Sequence, residues 1–196
     1  RRLLSTSKGA LRVGPDGVKM PRIGCGTAVF VDIGPNQKNH SDLHGFNMVK
    51  WALAAGYRLI DTAQMYYNEK VIGNALRDTF SKGELSREEI FVSTKVAHPN
   101  FPGSHERCPY VDDPGLSAYE GASKDIDGCL EDLGLEYVDS LLVHWPGQIG
   151  NTDAGLGKAK RAEIWAALED AHKAGKARTI GVSNFELYHM DQLAES

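Results

Sequence analysis

The chain has 196 residues, of which 41% are hydrophobic and 24% charged, a composition typical of a globular protein that buries a core. Its formal net charge of -4 gives no support to nucleic-acid binding, and no apolar run is long enough to cross a bilayer. The 3 cysteines, Cys25, Cys108 and Cys129, lack metal-ligand spacing and indicate free thiols in a reducing compartment, so we predict a cytoplasmic protein.

The two ends of the chain differ in character from its middle. Residues 1–12 are basic, contain hydroxyl side chains and carry no acid. They resemble the end of a mitochondrial presequence, but we favour a disordered basic extension, because composition alone is a weak targeting signal. About one helix separates the last predicted strand from Ser196. No linker interrupts the chain, so we predict a single domain over residues 1–196.

The first structured element is predicted to be a hairpin. A Pro-Asp-Gly turn signal at 15–17 separates two short strand-like runs within residues 11–27. Beyond it, strand patterns alternate with helical patterns, and a glycine follows each helix. This alternation predicts parallel strands joined by right-handed helical crossovers. The predicted strands cover residues 23–27, 57–61, 90–95, 137–145 and 178–183. The helices are centred on 46–53, 71–80, 116–133 and 164–171, with a further helical segment opening at Asn184.

Two local sequence patterns could indicate elements that do not fit this alternation of strands and helices. Ser86 and Glu89 have the spacing of a capping box, but we discount a helix there because a strand pattern starts at Ile90. Gly24-Cys25-Gly26 is not a GxGxxG motif opening a helix, which disfavours a dinucleotide-binding Rossmann fold. Long irregular loops are predicted at 97–115 and 147–158, where substrate specificity would lie.

Polar side chains recur where the predicted strands end, and two tyrosines follow the first of them. In barrels and in doubly wound sheets alike, the carboxyl ends of parallel strands carry the active site. We therefore expect these residues to share one rim of the sheet: Asp61, Tyr66, Tyr67, Lys95, His144, Ser183 and Asn184.

Each of these residues has a structural explanation when it is taken alone. Asp61, Ser183 and Asn184 would each cap a following helix. The tyrosines would be loop aromatics, the lysine would extend from a strand end to solvent, and the histidine would be a hydrogen-bonded core residue. Because all of them converge on one rim, a shared chemical role is the better interpretation.

The combination predicts proton transfer at an oxygen atom. A free phenol, with a pKa near 10, is a weak acid at neutral pH, and a nearby ammonium is expected to lower that pKa. A carboxylate would keep the lysine charged and in place, and a histidine would orient a carbonyl oxygen. No activated serine or cysteine and no metal cluster is evident in the sequence. Hydride from a nicotinamide would then supply the second reactant.

Three segments carry a resemblance to a known family. They are GYRLIDTAQMYYNEKVIG at 56–73, LLVHWP at 141–146 and IGVSNF at 180–185. The chain resembles aldo-keto reductases from Met20 to its end. The resemblance implies a parallel (β/α)₈ TIM-barrel fold of the α/β class, present here as about five βα units behind an N-terminal hairpin. It also implies NADPH-dependent reduction of small aldehydes or ketones.

The same resemblance implies a role for each site residue. The family pattern selects Tyr66 over Tyr67 as the general acid, with Lys95 and Asp61 tuning it and His144 positioning the carbonyl. Cofactor contacts are implied for Gly26, Thr27, Asp61, Ser183 and Asn184, of which Ser183 and Asn184 would hold the nicotinamide carboxamide. The substrate pocket is implied at Ala28, Phe30, Tyr66, His144 and Trp145.

Two departures from the family pattern bear on function. Ala28 stands where many relatives place a tryptophan, which predicts a wider pocket or one that Phe30 fills. The chain also has five predicted strands, whereas a closed barrel has eight. In relatives the remaining part carries the aromatic that stacks on nicotinamide and the basic residues that bind the NADPH phosphate. We expect a monomeric reductase from the full-length protein, the alternative being a truncated, non-catalytic barrel that acts as a structural or regulatory subunit.

Overall fold

The N-terminal hairpin is the first element of the structure, a computed structural model that describes residues 10–28, 41–98, 113–147 and 156–196. Strands β1 (Leu11–Val13) and β2 (Val18–Met20) pair antiparallel. The Gly17 N–H donates to the Gly14 carbonyl at 3.2 Å, and both glycines have positive φ, as a tight turn requires. The predicted turn at 15–17 is therefore confirmed.

Five parallel strands form the main sheet, and their spatial order is their order in the chain. They are β3 (Cys25–Gly26), β4 (Leu59–Asp61), β5 (Phe91–Val96), β6 (Val138–Val143) and β7 (Ala177–Val182). The predicted arrangement of about five strand–helix units behind a hairpin is confirmed. The predicted strand at 57–61 is too long at its start, because Tyr57 and Arg58 lie before the ladder, which begins with Leu59 opposite Phe91.

Within the described residues, five α-helices follow the strands or lie between them. They are α1 (Ser41–Ala54), α2 (Glu69–Ser81), α3 (Ala118–Leu133), α4 (Leu156–Lys173) and α5 (Leu187–Ala194). Helix α3 begins behind Ser117, whose side chain accepts from the Glu120 N–H, and ends at Gly134, which adopts the left-handed φ of 64°. The loop predicted at 147–158 is too long at its end, because α4 already begins at Leu156.

The capping-box signal at Ser86 was wrongly discounted. A single 3₁₀ turn, Arg87–Glu89, fits between the end of α2 and the start of β5. The Ser86 N–H donates to Glu89 Oε2 at 2.8 Å. The signal was real, but it caps one turn instead of a full helix.

The core lies between the sheet and the helices that cover one of its faces. Side chains from α2 and α3 meet those of the central strands, and residue Gly73 of α2 sets how closely these helices approach. A Cβ atom at Gly73 would lie 2.4 Å from the Leu133 carbonyl oxygen. The largest fully buried apolar side chains of the core are Ile60, Ile72, Leu76, Ile90, Leu133, Leu141, Ile164 and Leu168.

A buried carboxylate joins three strands at the end of the sheet opposite the polar rim. Asp139 of β6 is 2% exposed. It accepts from Arg87 at 2.8 Å, from Arg178 of β7 at 2.7 Å and from the Val92 N–H of β5 at 2.9 Å. Two cations and a backbone donor thus satisfy a charge that would be costly if buried alone.

No helix among the described residues is long and apolar enough to span a membrane. Ala28 is described and exposed, whereas Phe30, Cys108 and nearly all of the loop predicted at 97–115 lie outside the described residues.

Candidate active site

The parallel strands bring four of the predicted site residues to one rim. Asp61 is the last residue of β4, Lys95 is near the end of β5, and His144 directly follows β6. Tyr66 ends a single 3₁₀ turn, Gln64–Tyr66, which follows β4 and is called the tyrosine turn below. The rings of Tyr66 and His144 meet edge to face with centroids 5.5 Å apart.

Lys95 is the most constrained of these side chains. Its ammonium donates to both oxygens of Asp61 and to the Thr62 carbonyl, each at 2.8 Å. These three bonds match the three protons of an ammonium group. Lys95 is 6% exposed, and its nitrogen lies 5.4 Å from the centroid of the Tyr66 ring. The lysine is therefore held beside the phenol by its carboxylate partner.

The acidity expected for Tyr66 is wrong in direction. Burial and the negative charge of Asp61 raise the pKa of the Tyr66 phenol, whereas the sequence predicted that a nearby ammonium would lower it. The physical reason is that burial disfavours the charged phenolate, and the negative charge of the nearby Asp61 carboxylate disfavours it further. At neutral pH the phenol keeps its proton and can donate it.

His144 is a neutral imidazole in this site. Burial, followed by the positive charge of Lys95, lowers the pKa of His144 to about 4, against a smaller opposing effect of Asp61. Its Nδ1 atom is buried and has no hydrogen-bond partner among the described residues. The His144 N–H donates to the Val96 carbonyl at 2.9 Å, and the His144 carbonyl accepts from Asn184 at 2.8 Å. The backbone of His144 is thus held by a backbone bond from β5 and by the side chain of Asn184 after β7.

Ser183 and Asn184 lie at the same rim, at the end of β7. The alternative that either residue caps the next helix is wrong, because α5 begins at Leu187 behind Glu186. Asp61 caps no helix either, since the residues that precede the next two helical segments are Ala63 and Asn68. Asn184 instead adopts a left-handed φ of 61° and donates to the Ser183 hydroxyl at 3.1 Å.

The end of β3 completes the rim. The Thr27 N–H donates to the Asp61 carbonyl at 3.0 Å, and the buried Thr27 hydroxyl has no partner among the described residues. A Cβ atom added at Gly26 would meet none of the described residues within 4 Å. A buried hydroxyl without a partner among the described residues can hydrogen-bond a polar ligand.

Trp145 connects the rim to the tyrosine turn. Its ring lies 6.1 Å from that of His144, centroid to centroid, with the planes 26° apart. It also packs against Met65, which is the middle residue of the tyrosine turn, and against Ala97 after β5. These contacts support the predicted place of Trp145 in the wall of the pocket.

Sequence reasoning missed Asn68 and Glu69 as site residues, although both stand in the motif at 56–73. Asn68 is fully buried, donates to the Thr27 carbonyl at 2.7 Å and accepts from the Thr62 hydroxyl at 2.8 Å. It therefore joins the loops after β3 and β4. A usable signal existed: Glu69 shares the helical face of Ile72 and Leu76, which were predicted to be buried.

Glu69 is a buried carboxyl group that contacts strand β5 next to Lys95. It is 4% exposed and accepts a hydrogen bond from the hydroxyl of Thr94, the residue before Lys95. Burial raises the pKa of Glu69 to about 7, against the opposing bonds from Thr94 and Cys129. The folded protein thus holds this proton up to neutral pH, whereas the unfolded chain releases it near pH 4.5.

Glu69→Gln is expected to stabilise the protein increasingly as pH rises from about 5 to 8. The raised pKa means that the folded wild type binds more protons in this range, so its free energy of unfolding falls with rising pH. Glutamine does not titrate, and the variant should gain up to about 3 kcal/mol over the wild type above pH 7. Urea unfolding of both proteins across this pH range measures the difference between their free energies of unfolding. His144 is present in both proteins, so its pH-dependent contribution cancels in that difference. A difference that is flat with pH would contradict the prediction.

The comparisons with known proteins agree with this geometry. A model of the Aldo/keto reductase family matches residues 22–196. The chain is 36% identical over 179 residues to the 9,11-endoperoxide prostaglandin H2 reductase of Trypanosoma cruzi, covering 91% of this chain and 50% of that protein. It is 35% identical over 178 residues to the glyoxal reductase of Bacillus subtilis, with 91% of this chain and 50% of that protein covered. The chain spans about half the length of these curated relatives.

Solved structures give the same result for the fold. A Bombyx mori aldo-keto reductase in complex with NADP superposes with a TM-score of 0.72 at 28% identity, covering 95% of this chain and 54% of that one. An aldo/keto reductase from Brucella melitensis superposes with a TM-score of 0.70, also at 28% identity, covering 95% of this chain and 58% of that one. The five strand–helix units behind a hairpin, the polar rim and the match over residues 22–196 lead to one conclusion: this chain belongs to the aldo-keto reductase family.

Proposed function

We propose that this chain provides the catalytic part of an NADPH-dependent reductase that converts aldehydes or ketones to alcohols. The observation that carries the proposal is the pairing of Lys95 with both oxygens of Asp61, 5.4 Å from the Tyr66 ring, which in turn lies edge to face against His144. An acid, a charge that stabilises its conjugate base and a neutral hydrogen-bond donor therefore share one rim. A glyoxal reductase among the relatives and the NADP complex of the Bombyx mori protein support the same function.

Tyr66 acts as the general acid in this proposal. Its raised pKa keeps the phenol protonated throughout the neutral range, so the proton is in place when a carbonyl is reduced. An alkoxide is far more basic than a phenolate, so proton transfer from Tyr66 to the new alkoxide oxygen is favourable. The phenolate that remains lies beside the Lys95 ammonium, whose nitrogen is 5.4 Å from the ring centroid.

His144 orients the substrate. Because its pKa lies near 4, the imidazole is neutral at physiological pH and carries one N–H donor. Donation of that hydrogen to the carbonyl oxygen would hold the oxygen between His144 and Tyr66, whose ring centroids are 5.5 Å apart. Ala28 and Trp145 would line the pocket, together with Phe30, which lies outside the described residues.

The cofactor would lie along the rim between β3 and β7. Thr27 offers an unpaired buried hydroxyl, and Ser183 and Asn184 offer hydroxyl and amide groups suited to a carboxamide. When bound, the reduced nicotinamide supplies the hydride. Since Asn184 also donates to the His144 carbonyl, the residues that would hold the nicotinamide and those that would hold the substrate are directly connected. Asp61 and Gly26 would also contact the cofactor at this edge of the site. We further propose that the full-length protein is cytoplasmic and monomeric, as expected from the sequence.

Transfer of deuteride tests the proposed function. The protein expressed from its complete reading frame is incubated with an aromatic aldehyde and NADPH that carries deuterium at the transferable position. We expect the cofactor to be oxidised and the alcohol carbon to carry the label. The alternative, a non-catalytic subunit, predicts neither turnover nor NADPH binding, which quenching of protein fluorescence would measure. That pair of results would overturn the proposal.

A further inference from the structure

The tyrosine turn, Gln64–Tyr66, has little internal support for the residue it carries. Its backbone makes one bond from the Tyr66 N–H to the Ala63 carbonyl at 2.9 Å and another from the Tyr67 N–H to the Gln64 carbonyl at 3.2 Å. A single 3₁₀ turn has poor hydrogen-bond geometry and is not stable alone. Tyr67, which follows it, adopts a left-handed φ of 55°. The position of the Tyr66 phenol must therefore be set by contacts with other elements.

One of these contacts is a polar bond to helix α3. The side-chain amide of Gln64 donates to Asp125 Oδ1 at 2.8 Å, across 61 positions of sequence. Asp125 is 1% exposed and lies in the middle of α3, where a carboxyl group without a donor would be costly. Separating the two would remove a hydrogen bond from a buried carboxyl group, so the bond resists displacement of the turn.

A second contact holds the turn from the side of the substrate pocket. Met65 is 7% exposed and packs against Ala97 and Trp145. Trp145 in turn stacks near His144. The turn is thus fixed by an apolar contact on the His144 side and by one polar bond on the α3 side. The polar bond is directional, so it can fix the rotation of the turn about its own axis.

We propose that Asp125 is a positioning residue for the reductase reaction, acting through Gln64 to hold the Tyr66 phenol against His144 and Lys95. The inference rests on the proposed function for the identity of the reaction. Asp125 touches neither of the reacting groups described above. Its effect reaches them through the tyrosine turn, from Gln64 to Tyr66. Loss of the bond should therefore lower kcat more than it raises KM, because a displaced acid impairs proton transfer and leaves substrate binding intact.

Exchange of the amide and the carboxyl group tests this proposal. Gln64→Glu places two carboxyl groups against each other and should lower kcat for para-nitrobenzaldehyde by about 10- to 100-fold. Adding Asp125→Asn restores a hydrogen-bonded pair, with the carboxyl group now on the turn and the amide on α3. This double variant should return kcat to within about threefold of the wild type. Asp127→Asn is the matched control: it makes the same chemical change on α3, at an exposed residue paired with Lys176, and should leave kcat unchanged.

A spectroscopic readout separates positioning from folding and from the proposed function. The protein is labelled with 3-fluorotyrosine, and its Tyr66 resonance is assigned with Tyr66→Phe. Gln64→Glu should shift or broaden that resonance, and the exchanged pair should return it. If the wild type shows no turnover, the proposed reductase function fails while this resonance still decides the positioning role. If the exchanged pair does not restore the lost kcat or the resonance, or if Gln64→Glu changes only the Tm, the positioning role is refuted.

Discussion

Tyr66→Phe is expected to lower kcat for aldehyde reduction by about 10²- to 10⁴-fold, the usual contribution of a positioned general acid. The substitution removes only the hydroxyl group. The ring keeps its edge-to-face contact with His144 at 5.5 Å and its place 5.4 Å from the Lys95 nitrogen, so the pocket should keep its shape. NADPH affinity should therefore stay within about threefold of the wild-type value, because loss of a transition-state interaction changes kcat and not binding.

The neighbouring tyrosine provides a matched control for this prediction. Tyr67→Phe makes the same chemical change one residue later, on a side chain that is 50% exposed. Tyr67 follows the tyrosine turn and adopts a left-handed φ. The kcat of the Tyr67→Phe variant should equal that of the wild type. Single-turnover kinetics at saturating NADPH measure both variants. Equal losses in the two variants would show that the hydroxyl of Tyr66 has no special role.

Asp139→Ala is expected to lower the free energy of unfolding by about 3 to 5 kcal/mol, the cost of removing one partner from a buried ion pair. The carboxylate accepts from Arg87, from Arg178 and from the Val92 N–H, and it is 2% exposed. Without it, the Val92 donor is buried without a partner and the guanidinium of Arg87, 14% exposed, loses its counter-charge. The three strands β5, β6 and β7 lose the group that joins their ends.

An exposed ion pair provides the control for Asp139. Asp127→Ala breaks the pair with Lys176, whose side chains are 60% and 40% exposed, and should cost less than about 1 kcal/mol. Urea unfolding at neutral pH gives both values. If Asp139→Ala lowered the free energy of unfolding as little as Asp127→Ala, the ion pairs of Asp139 with the two arginines would not contribute to stability as predicted.

Much of the fold was predictable because its signals are local. The turn at 15–17, the glycines after the helices and the alternation of strand and helix patterns all depend on residues within one element. Strand limits were less predictable, because pairing with a neighbour sets them. Tyr57 reads as strand in the sequence, yet the ladder starts only where Leu59 meets Phe91.

The position of the candidate site at the carboxyl ends of the strands was predictable, but its electrostatics were not. Strand-end position and family motifs together selected Asp61, Lys95 and His144, and only the motif chose Tyr66 over its neighbour. The direction of the Tyr66 pKa shift could not be predicted, because it depends first on how deeply the phenol is buried and then on its distance from Asp61, which only the folded structure sets. The bond from Gln64 to Asp125 crosses 61 positions of sequence, and no local pattern marks it.

The strand order of the main sheet has a consequence for how the chain is assembled. Because each strand pairs with the one that precedes it in sequence, no later strand has to insert between two earlier ones. Every pairing partner is already present when a new strand leaves the ribosome. Folding can then proceed during synthesis, unit by unit from the N-terminus, because each new strand adds to an edge that is already formed.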